Sequence, residues 1–330
     1  MHGGITCVDA EKVFAAKGFE PVLFPHHHSY SLKAKAGRLY FLLKSLFRIK
    51  KNSVVIFIMP VYARMTKLLI DRLARKKGVE IICFIADING IKDGNDELLQ
   101  EEIRFYKQFR YFIVHNNKMA EWVHANISAN AITHNVEFFD FFAKPVTTER
   151  ELSFEIVFAG NLEKSPFLEH LHELKTTNPL LHFHLYGPGK TAAMTQQDNV
   201  TFYGAEKPYD LPPKLQGSFG LLWDDATIDK PGGSLGHYMQ FISHHKLSLY
   251  ILSRLPIIVP AVAASAPLIE KYGIGFAIDS LYQIEERIKK ITPAEFQQMQ
   301  RNMIPLAEKI NGGKCLGNAL DEMLRDLSDR

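Results

Sequence analysis

Short apolar runs alternate with amphipathic helical stretches along almost the whole chain, and this constrains the fold more than any other feature. Short buried strands that alternate with helices are the pattern of parallel-sheet α/β units. In the first half the strands read as Glu20–Phe24, Ser53–Met59, Glu80–Ile85 and Tyr111–His115, with another near Ala131–Ile132. Helices fit between them at Asp9–Lys17, Leu32–Arg48, Tyr62–Lys77, Asp96–Phe109 and Asn117–Asn126. Periodicity fades between Phe138 and Glu151, around Pro145, and the linker is placed there. The second half repeats the theme with strands at Glu155–Phe158, Leu181–Leu185, Val200–Tyr203, Gly217–Trp223, Ile257–Val259 and Gly275–Ile278. Thr292 is a good N-cap for a helix to Ile310, which Pro305 is expected to kink or split. A last amphipathic helix covers Leu316–Leu327.

A chain of 330 residues exceeds what one core usually organises. The expected division is a Rossmann-like domain over 1–145, a second over 151–310, and a closing helix within 311–330 that returns to the first. The net charge of +3 is too mild to argue for nucleic acid. Cys7, Cys83 and Cys315 are far apart and odd in number, so neither a disulfide framework nor a zinc site follows, and a reducing, cytoplasmic setting is expected. Apolar runs such as Val54–Met59 and Leu255–Val262 are too short to span a bilayer. Residues 33–51 form a basic amphipathic helix, compatible with peripheral contact with an anionic membrane and also with an ordinary core-facing helix.

The chemistry concentrates between His244 and Gly275. A polar helix start at His244, His245 and Lys246 leads into an apolar helix, a turn at Pro256, a buried strand and a loop at Ser265 and Ala266. A helix N-terminus has unpaired amides and a positive dipole end, and an added lysine suits a diphosphate. Gly160, Asn161 and Lys164 follow a strand and could contact phosphate or sugar, or form an ordinary capped turn. Tyr203 and Gly204 at another strand end could flank a base, or be a core ring and a turn glycine. The turn from Tyr186 to Lys190 lacks the full dinucleotide fingerprint and reads as structural. Asp224 and Asp225 offer too few ligands for a hard divalent ion, so they read as loop residues, and Ile228–Tyr238 reads as a flexible loop over the donor. Asp87 ends a strand and could take a proton from an acceptor hydroxyl, or merely shape a turn. His26, His27 and His28 alternate sides on an extended chain and make a poor metal site.

The segments His245–Tyr250 and Leu255–Val259 resemble a stretch of bacterial β-1,6-galactofuranosyltransferase-like proteins and of the glucosyltransferases that extend N-acetylglucosamine on streptococcal adhesins. Leu268–Glu270, Gly273–Gly275, Val54–Phe57, Phe84–Asp87, Val114–Met119 and Phe158–Asn161 follow in that family's order. The resemblance implies a GT-B fold, with two facing Rossmann-like domains, a UDP-sugar donor on the second and an acceptor on the first, and no obligatory metal. It implies that Lys246 holds the diphosphate, Gly160 and Asn161 line the donor cleft, Tyr203 lies near the base, and Ser265 and Ala266 line the sugar-diphosphate loop. Ala86 stands where the family often has histidine, and Ser253-Arg254 replaces a small pair. The family also has a strand ahead of the position of Gly3-Gly4; either this start is too late, or the first sheet lacks that strand and is expected to expose an edge.

The expected function is transfer of a hexosyl group (galactofuranose, glucose or galactose) to a glycan or lipid-linked acceptor. Lys246 would stabilise the departing UDP, and Asp87 would serve as base. The competing expectation is a non-catalytic partner subunit that binds glycan or protein. A dehydrogenase is disfavoured because no G-x-G-x-x-G follows an early strand. Oligomeric state, donor sugar and stereochemistry stay open.

Overall fold

The computed structural model describes residues 4–22, 31–61, 64–76, 78–224 and 226–329. Two parallel sheets organise it. The first has four strands in the order β1 (Val54–Met59), β2 (Glu80–Ile85), β3 (Tyr111–Val114) and β4 (Ile132–Asn135). The second contains β5 (Glu155–Ala159), β6 (His182–Tyr186), β7 (Val200–Gly204), β8 (Phe219–Leu221), β9 (Ile257–Pro260) and β10 (Gly275–Ile278). Its spatial order is β10-β9-β8-β5-β6-β7. The winding therefore reverses between β5 and β8, and the crevice beyond their carboxyl ends is where such sheets bind ligands.

The apolar runs become strands because both faces of each sheet are covered. Ile81, Cys83 and Ile85 point into one core, whereas Ile82 and Phe84 pack in another with Val13, Phe14, Leu316, Leu320 and Met323. In the second sheet, Val157 and Ala159 share a core with Leu247, Tyr250 and Ile251, while Ile156 and Phe158 face Phe167, Leu171 and Trp223. Among the described residues β1 is an edge strand, and all but Met59 of it is only half-buried.

Several local expectations change. Glu20–Val22 is irregular rather than extended in a sheet, and residues 23 and 24 lie outside the described residues, as do His26, His27 and His28. The helix expected at Tyr62–Lys77 is described as Arg64–Ala74. Thr292 and Glu295 form a reciprocal capping box, with Thr292 Oγ1 accepting the Glu295 amide at 3.2 Å and Glu295 accepting the Thr292 amide at 2.8 Å. The helix they start runs unbroken over Pro293–Asn311, through Pro305. Pro305 is on the exposed side, where water can serve the carbonyl its ring leaves unpaired. Met303, Leu306 and Ile310 are buried and hold the helix on both sides of it.

The halves interleave. The C-terminal helix Lys314–Ser328 packs on β3, β4 and the helix Ile5–Ala16. Its first amides, Cys315 and Leu316, donate to the Asp140 carboxylate at 2.9 Å each. Residues 228–238 do not form a free loop. Gly233–Tyr238 is a short helix, and Tyr238 and Ile242 are buried in the core of the first sheet. Tyr209 donates to Asp9 across the halves at 2.7 Å.

Arg150 ties the connection between the sheets to the second one. Its guanidinium donates to the carbonyls of Ser253 (2.7 Å), Leu215 (2.9 Å) and Gly217 (3.0 Å), and its own amide donates to Gln300 at 2.8 Å. Burial lowers its pKa to about 10, so it stays charged at neutral pH. Arg150→Ala leaves three carbonyls without this donor and is expected to cost about 2–4 kcal/mol of stability. Urea denaturation checks this, and a loss below about 1 kcal/mol would show that water replaces the guanidinium.

Candidate functional site

The helix His245–Leu252 starts at the carboxyl end of the second sheet, after extended His244. Lys246 reaches from its first turn to Asp224, just beyond β8, with Nζ 2.8 Å from Oδ1. The same ammonium lies 4.3 Å from the centre of the buried Phe158 ring, a cation–π contact. It also crosses Gly160, the residue after β5, where a Cβ would stand 2.9 Å from Lys246 Cε. A bare backbone is needed there for the lysine to lie flat. Beneath it, a Cβ on Gly187 would overlap the Gly160 carbonyl, so two strand ends meet where no side chain fits.

Asp224 has a second partner, with Oδ2 2.9 Å from His244 Nε2. Burial alone would raise its pKa, but the Lys246 charge and the His244 hydrogen bond outweigh that and hold it well below the carboxylate range. Lys246 and Asp224 are 18% and 19% exposed, so the ion pair is sheltered but reachable. Asp225 lies outside the described residues. Among the described residues no group of three or more His, Cys, Asp or Glu is placed to hold a metal.

The first sheet contributes the facing groups. Asp87 follows β2 and accepts from the Tyr238 hydroxyl at 2.9 Å and from Lys92 at 3.1 Å, while the Tyr238 oxygen accepts the Ile88 amide at 2.9 Å. His115, after β3, is buried, and its Nδ1 accepts the Ser243 amide at 3.3 Å. Asn116 donates to the Ser243 hydroxyl at 3.2 Å. His115 Nε2 and His244 Nδ1 are buried with no hydrogen-bond partner. Polar groups thus run from Asp87 and His115 through His244 to Asp224, Lys246 and Gly160.

The other expected residues are distributed differently. Asn161 is exposed and its side chain caps a short turn by accepting the Glu163 amide at 3.1 Å. Lys164 is exposed at the end of that turn. Tyr203 sits on the edge strand β7, stacked on Tyr186 with centroids 4.5 Å apart, and its hydroxyl meets Gln216 at 3.1 Å and His184 at 3.0 Å. The Gly204 carbonyl accepts the Gly187 amide at 2.8 Å, which links β7 to the turn below Gly160. Ser265 is fully buried, with a hydroxyl lacking a hydrogen-bond partner, and Ala266 beside it is buried. His245 is not a cleft residue. Its ring lies buried against Phe139 and Phe141, because adjacent positions on a helix point about 100° apart. The sequence reading missed His115, His244 and Tyr238 as site residues and took Asp224 only as loop. His244 lies two positions before Lys246, as the residue that opens its helix, a usable signal; the others are distant in sequence.

Burial lowers the pKa of both His115 and His245 to about 4. In the unfolded chain they protonate near 6.5, so stability is expected to fall as pH drops from about 6.5 to about 4. Asp140 opposes this: burial raises its pKa to about 6, so the folded state takes up that proton first on acidification. Two imidazoles outweigh one carboxyl, and the urea midpoint should be lower at pH 4.5 than at pH 7, less so in His245→Phe. An equal or higher midpoint at acid pH would refute this assignment.

Two parallel α/β sheets, with strand ends meeting at a cleft and a C-terminal helix returning to the first half, define a GT-B glycosyltransferase fold. The N-terminal domain of glucosyltransferase 3-like proteins matches residues 3–136, and the C-terminal domain of the same proteins matches 156–323. The chain belongs to the glucosyltransferase 3-like family. It is 27% identical over 225 residues to the β-1,6-galactofuranosyltransferase WbbI of Escherichia coli K12, covering 66% of this chain and 64% of that protein. It is also 27% identical over 223 residues to glucosyltransferase 3 of Streptococcus gordonii, covering 67% and 63%. The matches therefore span less than two thirds of those relatives' lengths. Among solved structures, sucrose-phosphate synthase from Thermosynechococcus elongatus superposes with TM-score 0.67 at 12% identity, covering 99% of this chain and 94% of that one. HepE of Anabaena in complex with UDP superposes with TM-score 0.61 at 11% identity, covering 88% and 84%.

Proposed function

We propose that the protein transfers a hexosyl group from a UDP-sugar to a glycan or lipid-linked acceptor in surface polysaccharide or glycoprotein synthesis. One observation carries this reading: Lys246, in the first turn of a helix, lies across the bare backbone of Gly160 with Asp224 as its resident counter-ion. A diphosphate fits there because it can take over the ammonium from Asp224 and accept from the helix amides. The names of the two bacterial relatives, a galactofuranosyltransferase and a glucosyltransferase, support hexosyl transfer with galactofuranose or glucose as candidate sugars, and galactose is a third candidate.

In this reading Lys246 and the helix dipole stabilise the negative charge on departing UDP, with no obligatory metal. Gly160 and Asn161 line the diphosphate side, with Lys164, exposed at the end of the following turn, as a further cation for it. Ser265 and Ala266, whose side chains are buried, shape the loop around the sugar from beneath. Tyr203 and Gly204 bound the base side. His245 contributes packing rather than a ligand contact. Asp87 receives the proton of the acceptor hydroxyl.

Calorimetric titration of the full chain with UDP, and with GDP, CMP and NAD as controls, tests the donor assignment. UDP is expected to give saturable heat that the others lack. A folded protein that shows no heat with UDP overturns the proposal.

A further inference from the structure

The helix Leu32–Arg48 carries two apolar faces. Leu42 is buried in the core of the first sheet, and Ile49, which follows the helix, is buried with it. On the other face Leu39 is 50% exposed, Tyr40 61%, Leu43 47% and Phe47 85%. These four fall within a sector of about 100° on a helical wheel. Exposed Lys33 and Lys44 border it on one side and exposed Lys35 on the other.

The charge around this stripe is one-sided. Residues 31–52 hold seven basic residues (Lys33, Lys35, Arg38, Lys44, Arg48, Lys50 and Lys51) and no Asp or Glu. The remaining 32 basic and 36 acidic residues give the rest of the chain a net charge of −4. Arg48 pairs with Glu20 at 2.5 Å, while the five lysines are exposed.

We propose that this helix lies along the surface of an anionic lipid bilayer. Leu39, Tyr40, Leu43 and Phe47 would enter the headgroup boundary, and the flanking lysines would reach lipid phosphates. The charge pattern selects this occupant. A second copy docking the same face by two-fold symmetry would set cations against cations, with no carboxylate in the segment to relieve them. Phosphate headgroups complement it, and the convex stripe suits a soft interface better than a fitted groove. Among the described residues no helix is long and apolar enough to cross a membrane, so the contact is peripheral. The proposal stands apart from the donor chemistry and concerns where the acceptor side of the molecule rests.

Sedimentation of the full chain with phosphatidylcholine vesicles, with and without phosphatidylglycerol, tests it. Binding is expected only with phosphatidylglycerol and should weaken as salt is raised. The exposed-face variants L43S/F47S and K35E/K44E should each weaken it about tenfold or more. Circular dichroism and the UDP titration should not change, which separates failure here from failure of the donor reading. Absence of binding, equal binding to neutral vesicles, or unchanged binding by both variants would overturn the proposal. An oligomer that L43S/F47S dissociates, in a protein without affinity for vesicles, would assign the stripe to a second copy instead.

Discussion

In the Lys246→Ala protein, hexosyl transfer is expected to fall about a hundred- to a thousandfold, equivalent to about 3–4 kcal/mol of transition-state stabilisation. The heat of UDP binding should vanish with it. The substitution removes the cation bound to Asp224 and exposes that carboxylate to an incoming diphosphate. Attraction thus becomes repulsion at the same spot. His244 still holds the other Asp224 oxygen at 2.9 Å, so the local fold should survive and circular dichroism should match the wild type. Turnover within a few-fold of wild type would show that the charge on the leaving group is met elsewhere.

Asp87→Asn should lower kcat by about a hundredfold or more while leaving UDP affinity unchanged. Asparagine preserves the size of the side chain and can still accept from Tyr238, but it cannot take a proton. Because Asp87 also bonds Tyr238 from the other half, a structural role must be separated from a chemical one. Tyr238→Phe makes that separation. It removes the hydroxyl shared by Asp87 and the Ile88 amide, and is expected to cost about 1 kcal/mol of stability with only a modest effect on kcat. If Asp87→Asn turns over normally, or if Tyr238→Phe loses as much activity, Asp87 is a strap and not a base.

The strand positions were legible because each buried strand is an apolar run closed by turn residues, and burial on both faces leaves that mark locally. Ile81–Ile85 and Ile257–Val259 are clear cases. The helix at Lys246 was legible for a similar reason, since an extended polar residue precedes an apolar run. Pairings between distant segments were not. Nothing around Tyr238 says that it binds Asp87, and nothing at Asp224 points to Lys246. The unbroken helix through Pro305 shows the same limit, because only the buried contacts of Met303, Leu306 and Ile310 explain its continuity. His245 shows it most sharply: one residue from Lys246, it faces Phe139 and Phe141 in the core, a direction that depends on helix phase and not on composition.

The interleaving of the two halves has a mechanical consequence. Two bodies joined by a single linker can gape like a hinge and admit ligands of many sizes. Here Arg150 anchors the connection to the second half, while the Gly233–Tyr238 excursion onto the first half and the returning Lys314–Ser328 helix fasten the two at separate places, and Tyr209 adds a clasp to Asp9. Fasteners at separate places oppose a wide hinge opening, because it would have to break all of them together. Any opening wide enough to part the halves must first release Tyr209 from Asp9 and Tyr238 from Asp87.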